Sequence, residues 1–253
     1  MPPIPPPRES GTTSTTALPL HWVKYGPVGA PQLLVLHGGP GAHLDYLLPQ
    51  MLELANEYEL VLYDQRGGGQ SKTDDRTPIT WRTHVDDLQK FIAELRLEPL
   101  SLVGYSWGGL LAMLYSIDAA AGRLRPAPSR LVLIDPAPAN RAFRQQFEQE
   151  FARRQALPIV AQLREQLAAS GLRESDPNAY RQRTFELSVA GYFADPTAAH
   201  DLTPFRVTGR VQQSVWASLG DFDREMSRDR ESRRRPTLLP KTRVAQRTRC
   251  RRI

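Results

Sequence analysis

Leu100-Ser101-Leu102-Val103-Gly104-Tyr105-Ser106-Trp107-Gly108-Gly109-Leu110 is the stretch on which the reading of the fold turns. A short apolar run ends in a turn built of Gly, Ser and Gly, and a helical pattern over 110–117 follows at once. Strand, sharp turn and helix are the setting of a G-x-S-x-G nucleophile elbow. Such a turn lifts the serine hydroxyl above the sheet and presses helix against strand, so the residues flanking Ser106 must be small. The N-terminus of the helix then aims backbone N–H groups and a positive dipole at charge developing beside Ser106. An ordinary strand–helix turn uses the same residues, so the surrounding pattern has to decide between the two.

Working outward, further apolar runs lie at 33–36, 60–63 and 131–134, each short enough for a buried strand. Between them are a helical stretch over 44–58 and a second in which Val85, Leu88, Ile92 and Leu95 mark one face. Thr83 followed by Asp86 suits the start of that second helix. Four strand–helix repeats in about a hundred residues define α/β architecture, a parallel sheet with crossover helices. Beyond Asn140 the pattern changes to Arg/Gln/Glu-rich helices at 141–155, 158–170 and 177–193, with an amphipathic stretch at 204–219 and no strand. A helical insertion of this kind reads as a cap over a cleft. The expected organisation is a flexible Pro/Thr/Ser-rich lead over 1–19, a core over 20–138, a helical cap over 139–222 and a basic, disordered tail over 223–253.

Two more glycine-rich turns sit at strand ends. His37-Gly38-Gly39-Pro40-Gly41 can bring a backbone N–H to the crevice beside Ser106, half of an oxyanion hole whose other half is the N–H of Trp107. His37 is read as a histidine bracing this loop. Asp64-Gln65-Arg66-Gly67-Gly68-Gly69-Gln70-Ser71 has neither the spacing of a P-loop nor that of a dinucleotide fingerprint. An Asp–Arg pair pinning the loop near the cleft explains it without a nucleotide.

HGGPG, DQRGGGQS and GYSWGG, in this order and spacing, resemble the proline iminopeptidases of the α/β-hydrolase fold. The resemblance runs from about Leu20 to Phe222 and none is seen beyond. It implies a serine aminopeptidase that removes an N-terminal residue, typically proline, from peptides. Ser106 matches the family nucleophile, and Gly39 and Trp107 match the oxyanion-hole positions. Cap carboxylates hold the substrate's α-amine in this family; Glu148, Glu150 and Glu186 are the candidates here. No metal or organic cofactor is implied, because nucleophile, base and oxyanion donors are all protein groups. An esterase or amidase of the same fold is the nearest alternative.

The sequence departs from the family after the cap, where the triad acid and histidine and the last strands are expected. Of five histidines, His21, His37, His43 and His84 precede Ser106 and only His200 follows it, inside the cap-like stretch. Asp135, at a strand end, is an alternative acid. Residues 223–253 hold 12 of the 33 Lys and Arg but 4 of the 27 Asp and Glu, so the net charge of +6 belongs to this stretch and the body is nearly neutral. The abrupt change is what a shifted reading frame would leave, in which case the chain is an inactive fragment. A genuine basic tail, binding nucleic acid or an acidic membrane through its charge, is the competing reading. For the folded core neither nucleic acid nor membrane is expected as a partner. A single cysteine, Cys250, excludes an intrachain disulfide and a cysteine metal cluster. With no run approaching ~20 apolar residues and no signal-peptide layout, the expected location is cytoplasmic.

Overall fold

The computed structural model describes residues 4–203 and 205–234. One six-stranded sheet has the order β1-β2-β4-β3-β5-β6. Its strands are β1 (Glu9–Thr12), β2 (His21–Tyr25), β3 (Gln32–Leu36), β4 (Glu59–Tyr63), β5 (Ser101–Tyr105) and β6 (Arg130–Ile134). The last four run parallel, while β1 and β2 add an antiparallel edge. β4 is buried at all five positions, the consequence of the unbroken apolar run in a strand covered on both faces.

β1 corrects the expectation of a flexible lead. Glu9–Thr12 pairs with β2, and the turn after it is tied down: Thr13 is buried and accepts the Leu20 N–H, while the N–H groups of Ser14 and Thr15 bond to Glu94. Those contacts are long-range and polar, so no apolar alternation announces them.

The stretch expected as one helix over 44–58 is broken into a 3-10 turn (Leu44–Leu47), a single turn α1 (Leu48–Met51) and a second 3-10 turn (Leu52–Asn56). Pro49 stands in the first turn of α1, where its missing N–H is harmless but a continuing helix would need it. The next helix, α2 (Trp81–Leu95), starts earlier than the Thr83–Asp86 pair suggests. Thr80 accepts the Thr83 N–H and the Thr83 hydroxyl accepts the Thr80 N–H, a reciprocal capping box. Val85, Leu88 and Ile92 are buried as the period requires. With α3 (Trp107–Ala120), α2 covers one face of the sheet, and the 44–56 segment covers the other.

The cap comprises α4 (Arg141–Gln155), α5 (Pro158–Ala169), α6 (Leu172–Ser175), α7 (Pro177–Val189) and the 3-10 turns Ala190–Tyr192 and Pro196–Asp201. It has its own small core of Val160, Ala190 and Ala199. The long α8 (Gly209–Arg234) differs from expectation twice. Its Val211, Val215, Leu219 and Phe222 are buried in the main core, Trp216 meets Trp107 and Phe222 meets Trp81, so 209–222 belongs to the core layer and not to the cap. The helix also passes Asp223 and continues to Arg234, so the first part of the expected tail is helical. The rest of that tail, with Cys250, lies outside the described residues. Among the described residues no helix is long and apolar enough to cross a membrane.

Candidate active site

β5 ends at Tyr105 and α3 begins at Trp107, leaving Ser106 alone in the turn with φ 52° and ψ −116°. A side chain in that region costs on the order of 1–3 kcal/mol and persists only where the surroundings dictate it. Here they do. A Cβ on Gly104 would stand 2.5 Å from the Gly108 carbonyl oxygen, and one on Gly108 only 2.1 Å from the Leu36 carbonyl oxygen. Both glycines are therefore required by the close approach of α3 to β5 and β3. Ser106 N–H bonds to the Ile134 carbonyl, and its own carbonyl accepts from Leu110 and Ala137, which fixes the turn.

The His37–Gly41 loop lies directly against this elbow, since a Cβ on Gly38 would be 2.9 Å from Ser106 Cβ. Gly39 has φ +63°. Among the described residues no hydrogen bond is made by the N–H of Gly39 or of Trp107. The structure thus sets the His37–Gly41 loop against Ser106 through Gly38, and the Trp107 N–H at the start of α3 has no hydrogen-bond partner among the described residues. The outer side of the loop is closed by the cap connection: Val207 and Phe205 approach Gly39, and Phe205 stacks on Tyr46 with centroids 4.6 Å apart. Tyr46 in turn accepts the Gly38 N–H at 2.8 Å.

His37 is buried, and both ring nitrogens are occupied. Nε2 accepts the Gln65 N–H at 3.1 Å, which leaves Nδ1 to donate to the Gly38 carbonyl at 2.9 Å. Burial pushes its pKa down. It braces the loop and does not face Ser106 as a base.

Gln65, which the sequence reading passes over, joins the two halves of the site. Its Nε2 donates to the His37 carbonyl at 2.8 Å and its Oε1 accepts the Trp107 indole N–H at 2.7 Å. The only signal was its place between strand and glycines in DQRGGGQS. Gln65→Leu leaves a buried carbonyl and a buried indole N–H unpaired, about 1–3 kcal/mol each. A fall in unfolding free energy of about 2–4 kcal/mol is expected from denaturant melts; a loss below about 1 kcal/mol would contradict this role.

The expected Asp64–Arg66 pair is not formed. Asp64 accepts the N–H groups of Leu44 and Gln70, pinning two loops by their backbones. Arg66 reaches the other way, with Nε and one terminal nitrogen at 2.7 and 2.6 Å from the two carboxylate oxygens of Asp87 on α2. The fork of the guanidinium matches a carboxylate presented edge-on, which a residue two places away in the same turn cannot offer.

None of the remaining candidates is hydrogen-bonded to the Ser106 side chain among the described residues. Asp135 is exposed, just past β6, with φ 42°. His200 lies in the cap with Nδ1 3.1 Å from Glu186 and 2.6 Å from Arg183. Glu186 is buried; burial raises its pKa, but hydrogen bonds from His200, Gln182 and Arg183 bring it below the usual carboxylate range. Glu150 is exposed and held by Arg153 and Arg154, and Glu148 is exposed. Among the described residues none hydrogen-bonds the Ser106 hydroxyl. No grouping of His, Cys, Asp and Glu suited to a metal ion occurs among them either.

Fold and elbow together define a hydrolase architecture, and the chain belongs to the alpha/beta hydrolase family, whose match covers residues 33–248. That match extends past Phe222, where the motif resemblance stops. Among individual proteins, the chain is similar to the proline iminopeptidase of Lactobacillus delbrueckii subsp. lactis, 40% identical over 91 residues, which are 34% of this chain and 31% of the relative. The proline iminopeptidase of Lacticaseibacillus rhamnosus (strain Lc 705) is 34% identical over 140 residues, 49% of this chain and 43% of that one. The aligned part thus spans less than half the length of these relatives. Of solved structures, VinJ superposes with a TM-score of 0.53 at 28% identity, over 71% of this chain and 60% of VinJ.

Proposed function

We propose that the site belongs to a serine hydrolase of the proline iminopeptidase type, which releases an N-terminal residue, typically proline, from a small peptide through an acyl-enzyme on Ser106. The observation that carries this reading is the strained Ser106 at the N-terminus of α3, with the His37–Gly41 loop packed against it. Attack of the Ser106 oxygen on a scissile carbonyl places negative charge on the carbonyl oxygen. Two preorganised amides and the N-terminus of α3 stabilise that charge without reorganising at the moment of reaction. The serine proton must leave to a base, and the departing amine must gain one. The family resemblance makes the cap carboxylates candidates to meet the substrate's α-amine; of the three, Glu186 is buried and bonded to Arg183, Gln182 and His200, while Glu148 and Glu150 are exposed. The similarity to the two iminopeptidases supports the substrate class.

The test is acylation by activated aryl esters, read by mass spectrometry of the intact chain and its peptides. Slow acylation confined to Ser106, absent in Ser106→Ala and faster for a prolyl ester than for an acetyl or butyryl ester, is expected. Equal or greater reactivity towards the neutral acyl esters would replace the peptidase reading with an esterase, and labelling elsewhere would remove Ser106 from the role.

A further inference from the structure

β6 ends the sheet, with β5 on one side and no strand on the other among the described residues. Its Leu131, Val132 and Leu133 are 40%, 49% and 37% exposed. Successive residues of a strand point to opposite faces, so the open edge is apolar on both sides. In β3, β4 and β5 the residues in register with these are buried, and a bare apolar edge is a template for pairing with another chain.

We propose that this edge pairs with β6 of a second copy of the chain, antiparallel and centred on Val132, so that two six-stranded sheets become one. The register follows from the backbone. The Ile134 carbonyl accepts the Ser106 N–H, so residues 130, 132 and 134 turn their backbone groups towards β5. By alternation Leu131 and Leu133 present theirs to the open edge. Centring on Val132 sets Leu131 of each copy opposite Leu133 of the other, and both pairs are then the doubly hydrogen-bonded kind. Shifting the pairing by two residues in either direction sets one of these leucines opposite its own copy and the other beyond the strand.

The side chains agree with the same register. Leu131 and Leu133 of both copies gather on one face; on the other, Val132 meets Val132 and Arg130 lies opposite Ile134. Charge selects the direction. Arg130 opens the strand and Asp135 follows its end, so antiparallel pairing brings the basic end of each copy to the acidic end of the other, whereas parallel pairing would stack like on like. The contact is self-complementary and closes at two copies. At the far edge, β1 is four residues long, polar and preceded by Pro5-Pro6-Pro7, which discourages further addition.

Sedimentation of the full chain through a dilution series tests this. A dimer is expected for the native chain, and a monomer with unchanged circular dichroism for Val132→Lys, whose substitution falls on an exposed position. In a Cys250→Ser background, Val132→Cys should give a disulfide-linked dimer under mild oxidation and Leu131→Cys much less, because only residue 132 faces its own copy. A native monomer, a dimer that survives Val132→Lys, equal cross-linking at 131 and 132, or an open series of larger species would each overturn the proposal. So would a chain ending at Arg234 that dimerises where the full chain does not, since residues 235–253 would then cover the edge.

Discussion

On a proline arylamide the 253-residue chain is expected to turn over slower, by a factor on the order of 10⁴–10⁶, than an α/β-hydrolase with a complete triad. The strained Ser106 stands at the N-terminus of α3 with the His37–Gly41 loop against it, the setting of the proposed oxyanion hole. On the base side, nothing among the described residues hydrogen-bonds the Ser106 hydroxyl. His37 has both nitrogens occupied, His84 is buried, and His200 is held by Glu186 and Arg183 in the cap. A serine that keeps its proton is a weak nucleophile at neutral pH. What remains is stabilisation of the oxyanion and of binding, which in triad knockouts still leaves roughly 10³–10⁴-fold over water. Initial rates for the native chain, Ser106→Ala and His200→Ala measure it. Turnover near that of intact enzymes, lost in both variants, would make His200 the base.

The sequence showed most where the chain has to bury apolar runs on both faces. The strands at 33–36, 60–63 and 100–103 could be found because a parallel strand covered on both faces leaves little room for polar residues, that at 131–134 because its run is apolar even though it lies exposed at the sheet edge, and Gly104 and Gly108 because a Cβ there strikes backbone. β1 was invisible for the converse reason. Glu-Ser-Gly-Thr carries no apolar alternation, and its place is set by pairing with β2 and by the Ser14 and Thr15 contacts to Glu94, some eighty residues away. The extent of α8 was hidden differently. Val211, Val215, Leu219 and Phe222 obey the helical period, but periodicity does not say whether the face they make meets the cap or the sheet.

Within the site, residue types could be assigned and partners could not. The turn at Ser106 follows from a motif whose geometry is local. The pairing of Arg66 with Asp87, and the bridging by Gln65, depend on which buried groups are left wanting a partner once the fold has formed. A buried carbonyl or indole N–H must be satisfied by whatever lies in reach, and reach is a tertiary property. Neither spacing nor composition encodes it.

Acid should weaken the fold in part through His84, and that part should be missing in His84→Phe. His84 is fully buried against Trp107, its ring 5.6 Å from the indole, and its Nε2 has no partner among the described residues. Burial, helped by the nearby His37 and Arg66, lowers its pKa from 6.5 to about 3. Above the unfolded pKa both states hold a neutral ring and nothing is lost. As pH falls from 6.5 towards 3 the unfolded chain takes up a proton that the folded chain refuses, so stability falls with pH throughout that window. At about 1.4 kcal/mol for each pH unit, the loss reaches about 2 kcal/mol near pH 5. Denaturant melts at pH 7.5 and pH 5 compare the two chains. Phe fills a similar volume, keeps the edge contact with Trp107 and has no nitrogen to protonate or leave unpaired. The difference between native and His84→Phe slopes therefore isolates the proton; parallel slopes would show that another group governs the acid limb. Because Trp107 follows Ser106 and supplies an oxyanion amide under the proposed function, a charge forced onto His84 would also disturb the site before the chain unfolds. Loss of Ser106 acylation at a pH where the native chain is still folded, and its retention in His84→Phe, would tie the buried imidazole to the chemistry above it.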